Sequence, residues 1–568
     1  MKRVFSTIFA LFLCAQFYAQ SPNQAITNKS VLRDSIDKYI NNVQKLWQLP
    51  GLAASISIND QIILQKGYGV KELTPKNGIG YRGESANSNY ITSGGVKGVK
   101  NKNMEPIDEN TIFQIGSISK SFTATVLAQL VAEGQLSWND TIKNILPDIK
   151  FYDKWVENNI QVKDIMVHRT GLKGQAGTYL PNLGYDRDDI YKMIGLIKPA
   201  YSFRGDYQYN NITFIIAQKI IEKITNRLWE ENVEERIFKS AGMIHSSLNA
   251  SGFASSDNVA TPHDYSYTTL ALASAKFPHQ VKMQNTDAPS IITLPLYSDE
   301  QALYWLTGVG PAGSVNSSVS DMIKYAQMHI NNGFIVNKTA ELNDTIKVIS
   351  EKAMKYLHRG QTITSEDTNR ITLYANCWFV EQNNKYRLYF HTGTTWGMTA
   401  ICFFVPELKL SGVVLVNSEA GASPRYAIMR RTIDLIMGLP YKDYNSIYFN
   451  EWLSDSKKAW DKSVKERNVE PKQASVKAEN IVGKYTKDDL FGNAEISQEK
   501  TKLFIRIGKK GFKNELVFRE GNIYEFRSDG HAFPIIFTMD KDGKKAISFE
   551  IDFNYGEGKD FGPWLRSK

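Results

Sequence analysis

The sequence predicts an α/β protein of the α+β type: an antiparallel sheet flanked by helices, with a helical subdomain inserted between its strands, followed by a C-terminal all-β domain. Three observations carry this. A helix-and-hairpin pattern near the N-terminus finds its sheet partners only after residue 385. The stretch between 140 and 300 reads as mostly helix and loop. From about residue 480 apolar and polar residues alternate between turn signals.

Met1-Lys2-Arg3, the apolar run Val4 to Phe17 and Tyr18-Ala19-Gln20 read as a secretory signal over residues 1–20, which implies a secreted or periplasmic protein. Cys14 raises a lipoprotein alternative, placed second because Leu11-Phe12-Leu13 lacks the small residues expected before a lipidated cysteine. The apolar run is short for a membrane span, and no later segment of the mature chain is long enough for one. Ile36, Tyr39, Ile40, Val43 and Trp47 mark an amphipathic helix ending near Pro50-Gly51, and a hairpin follows with its turn at Asn59-Asp60. Residues 73–104, rich in Gly, Asn, Ser and Lys, read as a long surface loop. Strands are expected at Tyr386 to Phe390, Thr399 to Val405 and Ser411 to Val416, then a helix from Ser423-Pro424 to Gly438. A large first domain therefore spans 30–440, a charged linker 441–478, and a β-sandwich or small barrel 479–568, with turns at Glu520-Gly521, Asp529-Gly530 and Asp542-Gly543.

The 568 residues, 42% hydrophobic, are ample for a large core plus a second domain. The net charge of +9 is spread rather than clustered, which points away from nucleic acid. Only Cys377 and Cys402 remain beyond the leader, either as free thiols or as one bridge. His263 and His358 lack metal-ligand spacing, so neither a metal nor a cofactor is expected.

The chemistry begins at Ser117-Ile118-Ser119-Lys120. Gln114-Ile115-Gly116-Ser117 reads as an extended approach and Gly turn. Ile118, Phe122, Val126 and Leu130 then recur at helical spacing. Residues three apart share a helix face, so the Lys120 amine can reach the Ser117 hydroxyl. A serine needs such a base to become a nucleophile. Alone this motif is weak, and an N-cap Ser with a solvated Lys is the plainer reading. Tyr209-Asn210-Asn211, on a loop entering the stripe Ile212, Ile215, Ile216 and Ile220, and His391-Thr392-Gly393, closing a strand, overturn that reading.

S-x-x-K, Y-x-N and H-T-G in this order resemble the penicillin-recognising serine enzymes. The Tyr in the second motif makes the chain similar to the class C β-lactamase, D,D-peptidase and esterase branch. Phe113 to Phe122, Met166-Val167-His168-Arg169-Thr170-Gly171-Leu172, Gly310-Pro311-Ala312-Gly313 and His391 to Val416 extend the resemblance over residues 30–440. Ile481-Val482-Gly483-Lys484-Tyr485 opens a region that loosely resembles the lipocalin-like domains appended to such hydrolases. The resemblance implies Ser117 as nucleophile and Lys120 and Tyr209 as the catalytic base and acid, without saying which is which. It implies Asn211, His391, Thr392, Gly393 and Thr394 as substrate-binding residues, with the backbone N–H groups of Ser117 and Thr394 holding the oxyanion. His168 reads as a turn residue satisfied by backbone.

His391 departs from the lysine usual in β-lactamases. A mostly neutral imidazole attracts a substrate carboxylate poorly, but gains attraction as pH falls through its pKa. The expected function is thus a secreted serine hydrolase acting through an acyl-enzyme on a D-amino-acyl peptide, amide or ester. A class C-like β-lactamase stands second, and a non-catalytic recognition protein third. The partner implied is a small-molecule or peptide substrate, with the oligomeric state open.

Overall fold

The structure, a computed structural model, describes residues 28–73, 104–281, 288–296, 300–338, 343–368, 370–467, 476–488, 490–528, 531–553 and 561–567. The leader, nearly all of the 73–104 loop and the Asp529-Gly530 turn lie outside them.

An eight-stranded antiparallel sheet runs in the order Gln61–Gly69, Gly51–Ile58, Leu410–Val416, Met398–Val405, Arg387–Thr395, Phe379–Gln382, Arg370–Tyr374 and Thr362–Asp367. The N-terminal hairpin thus joins the late strands, with Leu52 opposite Val416 and Ile58 opposite Leu410. Met398–Val405 and Leu410–Val416 are buried throughout, because both faces of the sheet are covered. Ala400, Cys402, Phe404, Val413 and Leu415 face the helical body that holds the nucleophile helix. Leu52, Ile401, Phe403, Val414 and Val416 face the terminal helices Lys29–Trp47 and Ala422–Ile436. Each strand therefore feeds two cores, which is why its sequence reads as a continuous apolar run. Cys377 and Cys402 are both free and buried.

The stretch read as a linker holds a 24-residue helix, Tyr444–Arg467. Its many charges obscure an apolar stripe, Tyr444, Tyr448, Phe449 and Trp452, packed on the core of the terminal helices. Trp47 meets Phe449 at 5.1 Å edge-on, and its indole N–H donates to Asn445 Oδ1 at 3.0 Å. Between sandwich and barrel, the structure decides for a barrel: eight strands from Gly483–Thr486 to Trp564–Arg566 close on themselves. Inward residues such as Ile496, Ile505, Phe537 and Phe549 fill it, and Phe549 stacks on Trp564 at 5.4 Å.

The barrel docks on the helical subdomain around Leu180–Leu183. The Tyr185 hydroxyl donates to the Phe491 carbonyl at 2.7 Å, and Lys509 pairs with Asp189. Gly508, at φ +75°, lies so close to the Leu183 carbonyl that a Cβ would fall 1.6 Å from its oxygen. Only glycine satisfies both constraints.

Candidate active site

Ser117 lies in a 3₁₀ turn, Gly116–Ile118, that feeds the helix Ser119–Ala132. That helix is buried on every side from Ser119 to Leu130 rather than along one stripe. Gly116 has φ +51°, and a Cβ there would lie 2.7 Å from Thr394 N. A Cβ on Gly393 would fall 1.7 Å from the Ile115 carbonyl oxygen and 3.2 Å from Ser117 N. Two glycines thus let the strand Arg387–Thr395 lie backbone-to-backbone against the nucleophile turn. This brings the amides of Ser117 and Thr394 to one junction, the arrangement an oxyanion site needs. The strand runs through His391-Thr392-Gly393 instead of ending there.

Lys120 is fully buried, and its Nζ has three partners: Ser117 Oγ at 3.0 Å, Asn211 Oδ1 at 2.7 Å and the Ala312 carbonyl at 3.0 Å. No carboxylate is among them. Burial of the cation therefore pulls its pKa from 10.5 to about 7. The geometry suits a neutral amine. Its two N–H groups serve the two carbonyl oxygens, which leaves the lone pair for the Ser117 hydroxyl proton. Tyr209 borders the cleft, its hydroxyl hydrogen-bonded to Ser117, and burial of that hydroxyl raises its pKa. The two candidates for the base, equivalent in sequence, are thus separated by environment: near neutrality the amine can be free while the phenol keeps its proton. Lys120 Nζ also sits 4.7 Å from the centre of the Tyr209 ring.

Asn211 donates to Gln175 Oε1 at 3.0 Å and Thr178 Oγ1 at 3.3 Å, which aims its carbonyl at Lys120. His168, at φ 56°, accepts from Asn210 N–H at 3.1 Å through Nδ1, as the turn reading expects. Its ring also packs 4.3 Å from that of Tyr209, so the residue supports the phenol as well.

His391 is 1% exposed, and burial beside Lys120 lowers its pKa to about 3. Its Nε2 contacts the Tyr374 hydroxyl at 2.9 Å and its Nδ1 the Thr392 carbonyl at 2.7 Å. Since burial opposes the imidazolium, the anticipated gain of anion attraction on mild acidification is moved below the working pH range. Tyr374 was not legible as part of the site. Arg425 was missed too: it is 4% exposed beneath the strand and donates to the carbonyls of Gly393 at 2.6 Å and Ala400 at 3.0 Å. An Arg one residue after Ser423-Pro424 carries no signal of that role.

Ser117, Tyr209, Asn211, His391, Thr392 and Thr394 open together onto a cleft of about 520 Å³. Trp305, Trp396, Glu419 and, from the barrel, His531 also line it. His531 lies 4.7 Å from the ring of Tyr179, another wall residue, and beside it Asn182 donates to Ser528 Oγ at 3.2 Å. The change of texture after residue 480 suggested a domain that narrows the site, but nothing in the sequence singled out His531 as the residue that does so.

The chemistry open to such a cleft is acyl transfer by a serine with an amine and a phenol in hydrogen-bond reach, which sets the protein among the serine hydrolases. A family model described as beta-lactamase matches residues 40–434, and the chain belongs to that family. The unguisins hydrolase of Aspergillus campestris is 24% identical over 440 residues, covering 74% of this chain and 68% of that protein. The octameric penicillin-binding protein homologue of Pyrococcus abyssi aligns with a TM-score of 0.52 at 18% identity, over 92% of this chain and 98% of its own. The D-amino acid amidase of Ochrobactrum anthropi, solved with L-phenylalanine amide, aligns with a TM-score of 0.50 at 15% identity, over 72% and 98%. At these identities the two structural likenesses are likenesses of fold. Among the described residues no helix is long and apolar enough to cross a membrane.

Proposed function

We propose that the protein hydrolyses a D-amino-acyl peptide, amide or ester through an acyl-enzyme on Ser117. The observation that carries the substrate class is the charge of the cleft: its described lining contains no Lys or Arg and one carboxylate, Glu419. The guanidinium of Arg425 is turned to backbone carbonyls under the strand, and His391 is neutral. A substrate needing a cation for its carboxylate, as penicillins do, finds little here, whereas a neutral or amine-bearing acyl donor fits. The amidase and hydrolase names among the similar proteins are compatible with this.

In the proposed mechanism neutral Lys120 takes the Ser117 proton as Oγ bonds to the acyl carbon. The amides of Ser117 and Thr394 hold the oxyanion, each worth about 10²–10³ in rate. The Tyr209 hydroxyl gives its proton to the departing amine or alkoxide and is reprotonated from Lys120. Water then attacks the ester along the same relay, giving the free acid and restoring the serine. Tyr179 and His531 narrow the cleft and favour short acyl donors. Residues 1–20 are proposed to export the protein, which N-terminal sequencing of the mature form checks.

The test is turnover of D-amino-acid amides, p-nitrophenyl esters and a chromogenic cephalosporin by pure protein, with fluorophosphonate labelling. The expected outcome is turnover of amide or ester above cephalosporin, one labelled peptide containing Ser117, and loss of label and turnover in Ser117→Ala. Faster cephalosporin turnover would overturn the substrate class, and label surviving Ser117→Ala would overturn the mechanism.

A further inference from the structure

A second cleft of about 470 Å³ lies between the ribbon strand His263–Thr268 and the helix Tyr444–Arg467, and it shares no described lining residue with the catalytic cleft. Tyr265 and Trp452, with rings 5.1 Å apart, mark one end. At the other end Arg467 Nη1 donates to the Pro278 carbonyl. Between them the helix presents Ser456, Trp460 and Ser463, and the strand presents Tyr267 and Thr268.

The character of this lining is specific. Aromatic residues alternate with hydroxyl residues along both walls, and the hydroxyls of Ser456 and Thr268 have no protein partner among the described residues. A pyranose has matching chemistry, a C–H face for the rings and a rim of hydroxyls for the serines and threonines. Arg467 adds a second, independent observation. It is partly buried with no carboxylate in ion-pair reach among the described residues, and desolvation lowers its pKa. Its Nε and Nη1 are held by Ser463 Oγ and the Pro278 carbonyl, so the guanidinium is fixed while no carboxylate among the described residues neutralises its charge. A fixed, uncompensated guanidinium at the end of a cleft calls for an anion. Asp264 lies at the opposite, Tyr265 end, next in the strand, so it does not cancel that charge.

We propose that this cleft is a binding site for a carboxylated saccharide, a pyranose lying on Trp460 and Tyr267 with its carboxylate on Arg467. The ribbon that forms one wall is tied to the catalytic rim, since His263 N–H donates to the Gly397 carbonyl at 3.0 Å, one residue from Trp396.

The experiment titrates the full chain with trigalacturonate and with the neutral galactose trimer, followed by calorimetry and tryptophan fluorescence. Saturable binding of the acidic trimer is expected, weaker by about tenfold for the neutral one and by about tenfold in Arg467→Gln. Trp460→Ala should abolish it and Trp460→Phe retain it, with ester turnover and melting temperature unchanged in all three variants. Absence of saturation with the acidic trimer overturns the proposal, as does equal affinity for the neutral one. Binding indifferent to both positions, or preference for decanoate or a peptide carboxylate over the sugar, overturns it as well.

Discussion

The assignment of Lys120 as the base is open to one sharp perturbation, Asn211→Asp. With a pKa of about 7, set by burial without a counterion, the wild-type kcat/KM for a neutral ester should rise tenfold per pH unit below 7 and level off above. At pH 5 about 1% of the amine is free, so the rate should be about 100-fold below the plateau. Asn211 Oδ1 is 2.7 Å from Nζ. Replacing that carbonyl by a carboxylate puts a full negative charge in contact with a buried ammonium and raises its pKa by about one to three units. The sign is unambiguous: a stabilised cation needs higher pH to lose its proton. At pH 7, where half of the wild-type amine is free, the variant should lose about 5- to 500-fold and recover much of it by about pH 9 or 10. The change is sterically mild, since Gln175 can turn its amide and Thr178 its hydroxyl to donate to the new carboxylate. Stopped-flow acylation by a p-nitrophenyl ester from pH 5 to 10 measures both curves. A wild-type inflection near 10, or one near 7 that Asn211→Asp leaves in place, would refute the argument.

Three further outcomes follow from the same geometry. Lys120→Ala and Tyr209→Phe should each slow acylation strongly, and the double variant should be far less impaired than the product of the two, because one relay is broken only once; multiplicative losses in the same assay would separate the two groups. His391→Lys should raise penicillin acylation relative to a neutral ester at the lower pH values, where the new amine, itself lowered by the same burial, is protonated and an ammonium replaces an imidazole held neutral down to about pH 3; the ratio of kcat/KM values against pH reads this directly. Gly508→Ala, adding a Cβ 1.6 Å from the Leu183 carbonyl oxygen at φ +75°, should cost at least about 1–2 kcal/mol in thermal unfolding and alter the KM of bulky esters more than that of small ones; an unchanged melt would show that the barrel is not seated there.

What the sequence disclosed was governed by range. The three motifs were legible because each is a short local pattern, and the strands around His391 because fully apolar runs of strand length have few other readings. The helix Tyr444–Arg467 was not legible, since Phe449 and Trp452 are spaced among Lys, Asp and Glu and acquire meaning only against Trp47. Tyr374 and Arg425 join the site by contacts across the sheet that no spacing encodes. His391 is neutral near pH 7 as the sequence suggested, but its titration range was misjudged for a related reason: an imidazole reads as a group that titrates on mild acidification, and only the packing of Tyr374, Phe379 and the strand around it removes the water that titration needs.

His531 gives the cleft an unusual order of assembly. Nucleophile, amine and phenol all lie in the first part of the chain, and the strand of His391 completes their surroundings well before the barrel is made. The last wall comes from the barrel, whose strand His531–Met539 follows every other described lining residue in the chain. The wall that His531 adds therefore depends on the barrel's seat at Leu180–Leu183, whereas the contacts of Lys120 with Ser117 and Asn211 do not. Unseating the barrel should widen the entrance and leave the contact of Lys120 with Ser117 in place, so that bulky esters gain in kcat/KM while small ones keep theirs.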